Sequence, residues 1–194
     1  MSLVPLAQAL WLAVPIVLAG AVHVLVIARG WLAPLARLPL DAGISLGDRR
    51  LLGANKTVRG ALTMIAATIA TVWLQVAVFR RCAFDDALWL VDLDRVSPLG
   101  WGALLGVGYV AGELPNSFCK RRFGIAPGAA PAGTRARLCW TADQLDSVIG
   151  ILVCMSFASV PPAPTAVLLL VLGLGLHPLM ALLMVKLGLK QRVG

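Results

Sequence analysis

Val107-Gly108-Tyr109-Val110-Ala111-Gly112-Glu113-Leu114-Pro115-Asn116-Ser117-Phe118-Cys119-Lys120-Arg121-Arg122 passes from an uncharged run into a carboxylate, an amide, a hydroxyl and three consecutive cations. The uncharged run follows Arg95, and its apolar part begins at Pro98. Pro98–Gly112 is therefore apolar enough for a membrane helix, though short of the ~20 residues a bilayer needs. Helical spacing lets it continue through Glu113 toward Lys120, leaving a polar end outside the hydrocarbon. Charge beside a span costs free energy and is retained mainly where it has a function.

Four other stretches are apolar: Leu6–Ala28, Gly60–Phe79, Leu145–Val160 and Ala163–Val185. The chain of 194 residues is 59% hydrophobic and only 13% charged, about half the charge of a soluble domain. Leu, Val and Ala dominate, which suits helices rather than the alternating strands of a barrel. These features predict an all-α integral membrane protein of about five transmembrane helices, forming one domain over residues 1–194. No basic n-region or small-residue cleavage site precedes the first apolar run, so it reads as a retained span. Pro15, Pro115 and Pro178 are candidate kinks.

The net charge of +8 does not indicate nucleic acid, because no basic patch is interleaved with stacking aromatics. It follows membrane topology instead. The loop at about 29–59 carries Arg29, Arg37, Arg49, Arg50, Lys56 and Arg59 against Asp41 and Asp48. The loop at about 115–144 carries Lys120, Arg121, Arg122, Arg135 and Arg137, and the tail carries Lys186, Lys190 and Arg192. Positive-inside bias then sets the N-terminus outside and the C-terminus in the cytoplasm, with both basic loops on the cytoplasmic face of the cell membrane. Asp85, Asp86, Asp92 and Asp94 fall on the outer side and read as a solvated loop. Cys82, Cys119, Cys139 and Cys154 contain no CxxC pair, which argues against a zinc or redox site. His23 and His177 lie in or near apolar segments and read as packed or interfacial.

Three polar constellations remain. If 113–122 is helical, Glu113, Asn116, Ser117, Lys120 and Arg121 share one face; Pro115 either kinks that helix or starts a new one. The competing plain reading is a basic helix end obeying the positive-inside rule. Asp143 and Asp146, with Gln144, sit one turn apart at the expected start of a helix. Thr141 or Asp143 could be its N-cap, or the two acids could bridge Mg²⁺, which takes one or two carboxylates plus phosphate oxygens and water. Asn55, Lys56, Thr57 and Arg59 lie between Gly53 and Gly60, as either a capped helix start with snorkelling cations or a phosphate cradle. The segment Ala126–Arg137 is rich in Gly, Pro and Ala and reads as a loop.

Together, Gly-x-Asn-Lys-Thr-x-Arg-Gly at 53–60, Gly-Glu-Leu-x-x-Ser-Phe-x-Lys-Arg-Arg-x-Gly at 112–124 and Asp-Gln-x-Asp at 143–146 resemble the CDP-archaeol synthase family. That family is related to the phosphatidate cytidylyltransferases. The stretch from His177 to Lys190 also looks like the family's C-terminal motif. The chain departs from the pattern at Glu113, usually Asp, at Val58, commonly aromatic, and at Ala181, where Asn is expected. The resemblance implies cytidylyl transfer from CTP to an anionic lipid phosphate, giving a CDP-lipid and pyrophosphate in phospholipid biosynthesis. Glu113, Asp143 and Asp146 would hold Mg²⁺. Lys56, Arg59, Lys120, Arg121 and Arg122 would neutralise phosphates, and Asn55, Thr57, Ser117 and Gln144 would orient phosphates, ribose or base. The implied partners are CTP, a lipid phosphate and membrane lipids, not nucleic acid; a homodimer is compatible with the pattern. The rival readings are a non-catalytic paralogue, a small transporter or scaffold, and a CDP-alcohol phosphatidyltransferase.

Overall fold

The computed structural model describes residues 3–82, 84–129 and 133–189, leaving aside the side chains of 134 and 135. Lys190, Arg192 and the Arg135 side chain therefore lie outside the described residues. Five long helices make the body: α1 (Val4–Ala28), α3 (Val58–Cys82), α4 (Pro98–Arg122), α5 (Thr134–Met155) and α6 (Ala163–Lys186), with a one-turn α2 (Ala33–Ala36) after α1. The protein is an all-α membrane protein. Four of the long helices, α1, α3, α5 and α6, are long and apolar enough to cross a bilayer. The expectation of about five spans meets its limit at α4, which is 25 residues long but ends in the polar island.

α4 is nevertheless central, packed against α3 on one side and α5 on the other. Glycines make this possible. A Cβ on Gly102 or Gly106 would lie 2.7 Å or 2.9 Å from the Cα of Ile69 or Ile65 on α3. On the α5 side, a Cβ on Gly108 would lie 2.7 Å from the Gly150 carbonyl oxygen, and one on Gly150 would lie 2.1 Å from that of Gly108. Small residues four apart let membrane helices touch backbone to backbone. Here they bring two polar helix segments together.

Several expectations about boundaries are corrected. α4 runs without a break through Pro115, so Pro115 starts no new helix. α5 begins at Thr134 after the N-cap Gly133. Asp143 and Asp146 are thus well inside a helix, and neither Asp143 nor Thr141 caps it. The loop expected over 115–144 shrinks to the connection between Arg122 and Thr134, and the expected loop 126–137 loses its last residues to α5. α5 also stops at Met155 rather than continuing to Val160.

The segment between α1 and α3 is more ordered than a basic loop. A small antiparallel hairpin pairs β1 (Ser45–Leu46) with β2 (Arg49–Arg50). Asp41, 5% exposed, organises it. Its carboxylate accepts from the amides of Gly43, Leu52 and Gly53, each at 3.1 Å, and pairs with the Arg50 guanidinium. At the opposite end of the molecule, Gln8 on α1 donates to the Ala87 carbonyl and accepts from Thr165 on α6. The acids there make local bonds: Asp85 accepts from the Ala87 amide, and Asp92 pairs with Arg95 at 3.2 Å in an exposed position. That fits the solvated-loop reading.

Candidate active site

At the end where α4 finishes and α5 begins, a cavity of about 520 Å³ opens between α4, α5, α6 and the turn before α3. This is within the ~300–1,000 Å³ usual for small-molecule sites. Its walls gather the three sequence constellations: Asn55 and Lys56 from the turn; Glu113, Ser117, Lys120 and Arg121 from α4; and Asp143, Gln144 and Asp146 from α5. Asn116 joins them, so the predicted polar face of α4 is real.

The acids and cations are interlocked. Lys56 pairs with Glu113, and Lys120 pairs with Asp143. Asn116 Nδ2 donates to both Asp143 Oδ1 at 2.6 Å and Asp146 Oδ2 at 2.7 Å. Ser147 Oγ bridges Asp146 Oδ1 at 3.1 Å and Glu113 Oε1 at 3.4 Å. Among the described residues, no three of His, Cys, Asp and Glu form a ready cage for a metal ion. Two carboxylates do converge on one amide nitrogen, a pattern suited to Mg²⁺ completed by phosphate oxygens and water. Each lysine sits where it could exchange a carboxylate for a phosphate.

Arg121 stands apart. It is 8% exposed, yet its Nε and Nη1 have no hydrogen-bond partner among the described residues. A buried guanidinium without an anion is costly, so this one is poised for a negatively charged ligand. It lies against Gly53, whose φ of +101° and missing Cβ admit it: a Cβ there would be 3.0 Å from Pro127 Cγ and 3.4 Å from Arg121 Nη1. Gln144 likewise has an unpartnered buried Oε1, while its amide donates to the Trp140 carbonyl at 3.0 Å.

Three of the expected site residues do not line this cavity. Arg122 points to the hairpin, donating to the carbonyls of Leu46, Arg49 and Arg50 at 2.7, 2.9 and 2.8 Å. Arg49 returns the contact through the Arg122 carbonyl. Thr57 accepts from the Gly60 amide at 3.3 Å, capping α3, and faces a smaller adjoining cavity. Arg59 lines neither of these cavities.

A second, largely apolar cavity of about 180 Å³ runs between α1, α5 and α6. It meets the polar cavity at His177 and Ala181. Sequence reasoning set His177 aside as packed and gave Ser147 no role. Signals existed for both: Ser147 follows Asp146 directly, and His177 opens the stretch that looks like the family's C-terminal motif.

A family model described as CarS-like CDP-archaeol synthase matches residues 2–193. A CDP-archaeol synthase of Methanosphaerula palustris is 39% identical over 117 residues, covering 59% of this chain and 61% of the relative. One of Halobacterium salinarum is 40% identical over 121 residues, covering 62% of this chain and 60% of the relative. One of Methanothermobacter thermautotrophicus is 33% identical over 154 residues, 79% of this chain and 78% of the relative. The matches to the first two span about three-fifths of those relatives' length. A solved structure of an intramembrane enzyme for archaeal membrane lipid biosynthesis is 28% identical, with a TM-score of 0.55, over 81% of this chain and 89% of that one.

Proposed function

The chain belongs to the CarS-like CDP-archaeol synthase family, and from that premise we propose that it transfers the cytidylyl group of CTP to an anionic lipid phosphate, releasing pyrophosphate. The observation that carries this reading is the pairing of cavities. A polar one holds two acid–lysine pairs and a guanidinium without a partner among the described residues, and it shares His177 and Ala181 with an apolar one within the helices. The names of the relatives make an archaeol-type ether-lipid phosphate the proposed acceptor. The polar cavity faces the cytoplasm in this reading, with the N-terminus outside.

The proposed chemistry is an in-line displacement. An oxygen of the lipid phosphate forms a bond to the α-phosphorus of CTP. The bond from that phosphorus to the oxygen bridging to the β-phosphate breaks, and pyrophosphate leaves with the electron pair. A phosphate monoester is already largely ionised at pH 7, with its second pKa near 6, so no general base is required. The work is positioning and charge neutralisation. Arg121 engages phosphate through the donors that lack a partner in the structure. Lys56 and Lys120 turn from Glu113 and Asp143 to phosphate oxygens. Asn55, Ser117 and Gln144 orient the nucleotide.

The donor set fits Mg²⁺, with Asp143 and Asp146 as its holders and Glu113 beside them across Ser147. When bound, the ion contributes neutralisation of charge on the triphosphate. Arg122, Thr57 and Arg59 support the site from outside: Arg122 by fixing the hairpin, Thr57 by capping α3, and Arg59 as a nearby cation.

The test is purified protein in detergent with CTP, Mg²⁺ and either phosphatidate or an archaeol-type ether phosphate. CDP-lipid is expected from at least one, together with Mg²⁺-dependent binding of CTP by titration calorimetry. Absence of both overturns the reading and favours a transporter or scaffold.

A further inference from the structure

The two cavities meet at two residues of α6, His177 and Ala181. They are one helical turn apart and so share a face. Ala181 offers no hydrogen bond, so the imidazole of His177 is the polar side chain of the doorway itself. We propose that His177 binds the phosphate of the acceptor lipid there, holding it between the hydrocarbon slot and the nucleotide site. This rests on the cytidylyltransferase reading above.

The shape of the apolar cavity supports an amphiphile held lengthwise. Its α1 wall runs from Leu12 to Val24 and its α6 wall from Leu169 to Met184. At 1.5 Å per residue these walls are about 18 and 22 Å long, more than one leaflet's half of a ~30 Å hydrocarbon core. The polar members of its lining are His23, Tyr109, Ser147 and His177. His177 stands near the middle of the α6 wall and His23 near one end of the α1 wall, and the rest of the lining is apolar. Among these four, His177 also lines the polar cavity, which makes its position the one that joins a hydrocarbon slot to a polar site.

Of the slot's other polar residues, His23, Tyr109 and Ser147 do not line the polar cavity, although His23 carries a buried Nδ1 without a partner among the described residues. Ser147 bridges Asp146 and Glu113. Lys56 and Lys120 hold carboxylates, and Arg121 lies against Gly53. His177 has no hydrogen bond or ion pair to another described residue. Its ring N–H is therefore free to donate to a phosphate oxygen entering from the slot.

His177→Leu and His177→Phe remove the donor while keeping bulk at the doorway. Each is expected to raise the KM for phosphatidate or the ether phosphate by about 10- to 100-fold, the range for a hydrogen bond to a charged group. Calorimetric affinity for CTP with Mg²⁺ should stay unchanged, and His177→Gln, which retains an N–H, should recover most of the loss. The wild-type protein supplies an independent readout. Phosphatidate in mixed micelles should slow labelling of His177 by diethylpyrocarbonate, read on its peptide by mass spectrometry, whereas CTP with Mg²⁺ alone should not. Unchanged acceptor KM in the Leu and Phe variants, equal losses of lipid and CTP affinity, or no lipid protection overturns the proposal. A wild-type protein that makes no CDP-lipid instead overturns the reading on which it rests.

Discussion

The carbonyl oxygen of Asp146 occupies the space that a Cβ on Gly112 would need, at 2.2 Å. This contact sets Glu113, the next residue of α4, beside Asp146 and Ser147 on α5. Gly112→Ala must push the helices apart. It is expected to destabilise the protein by about 1–3 kcal/mol and to abolish transfer. Gly175→Ala, in α6 where an added Cβ would meet nothing within 4 Å, should change stability by no more than ~1 kcal/mol. Thermal unfolding in detergent alongside the transfer assay checks both.

Adjacent arginines should fail differently. Arg121→Ala removes an unpartnered buried cation, so CTP affinity should drop roughly 10- to 100-fold with little loss of melting temperature. Arg122→Ala frees three carbonyls of the hairpin and should lower the melting temperature first. Titration calorimetry and thermal unfolding on the same two variants separate the roles. Equal behaviour of the pair contradicts them.

Asn116 ties Asp143 to Asp146, and Lys120 neutralises Asp143. Asp143→Asn and Asp146→Asn should each cut turnover by about 10²-fold or more and weaken the Mg²⁺ dependence of CTP binding. Asn116→Ala leaves both carboxylates in place but unlinked, so a smaller loss of turnover is expected, partly recovered at higher Mg²⁺. A metal titration of each variant is the measurement.

Asp41 makes folding sensitive to acid. Burial raises its carboxyl pKa, but the Arg50 guanidinium and the amides of Leu52, Gly43 and Gly53 outweigh this and hold it at about 2, below its ordinary 3.8. A lowered folded-state value contributes stability that is complete above 3.8 and is lost as pH falls toward 2. Asp41→Asn should lower the melting temperature at pH 7 and flatten its dependence on pH below about 4. Melting curves from pH 7 down to 3 test this.

The apolar runs made the long helices legible, and i, i+3, i+4 spacing made the polar face of α4 legible as Glu113, Asn116, Ser117, Lys120 and Arg121. Local pattern could not set the start of α5, because Thr134–Trp140 has weak apolar periodicity of its own. Asp143 and Asp146 consequently looked like first-turn acids. Nor could composition tell Arg121 from Arg122: the two differ by one residue's turn around α4, which sends one to the cavity and the other to the hairpin. The pairs Gly102/Gly106 and Gly108/Gly112 each have a spacing of four, and their contacts with α3 and α5 explain why a helix that ends in a polar island is the central one.

The two cavities share part of α6 but otherwise draw mostly on different helices. Glu113 and Asp146 are fixed by a glycine contact within α4 and α5, whereas much of the apolar slot belongs to α1 and α6. Substitutions at Leu12, Ile16, Leu169 or Met184 can therefore reshape the space for a hydrocarbon tail without shifting a carboxylate. Within such a fold, preference for one lipid over another can drift during evolution while the nucleotide chemistry is inherited intact.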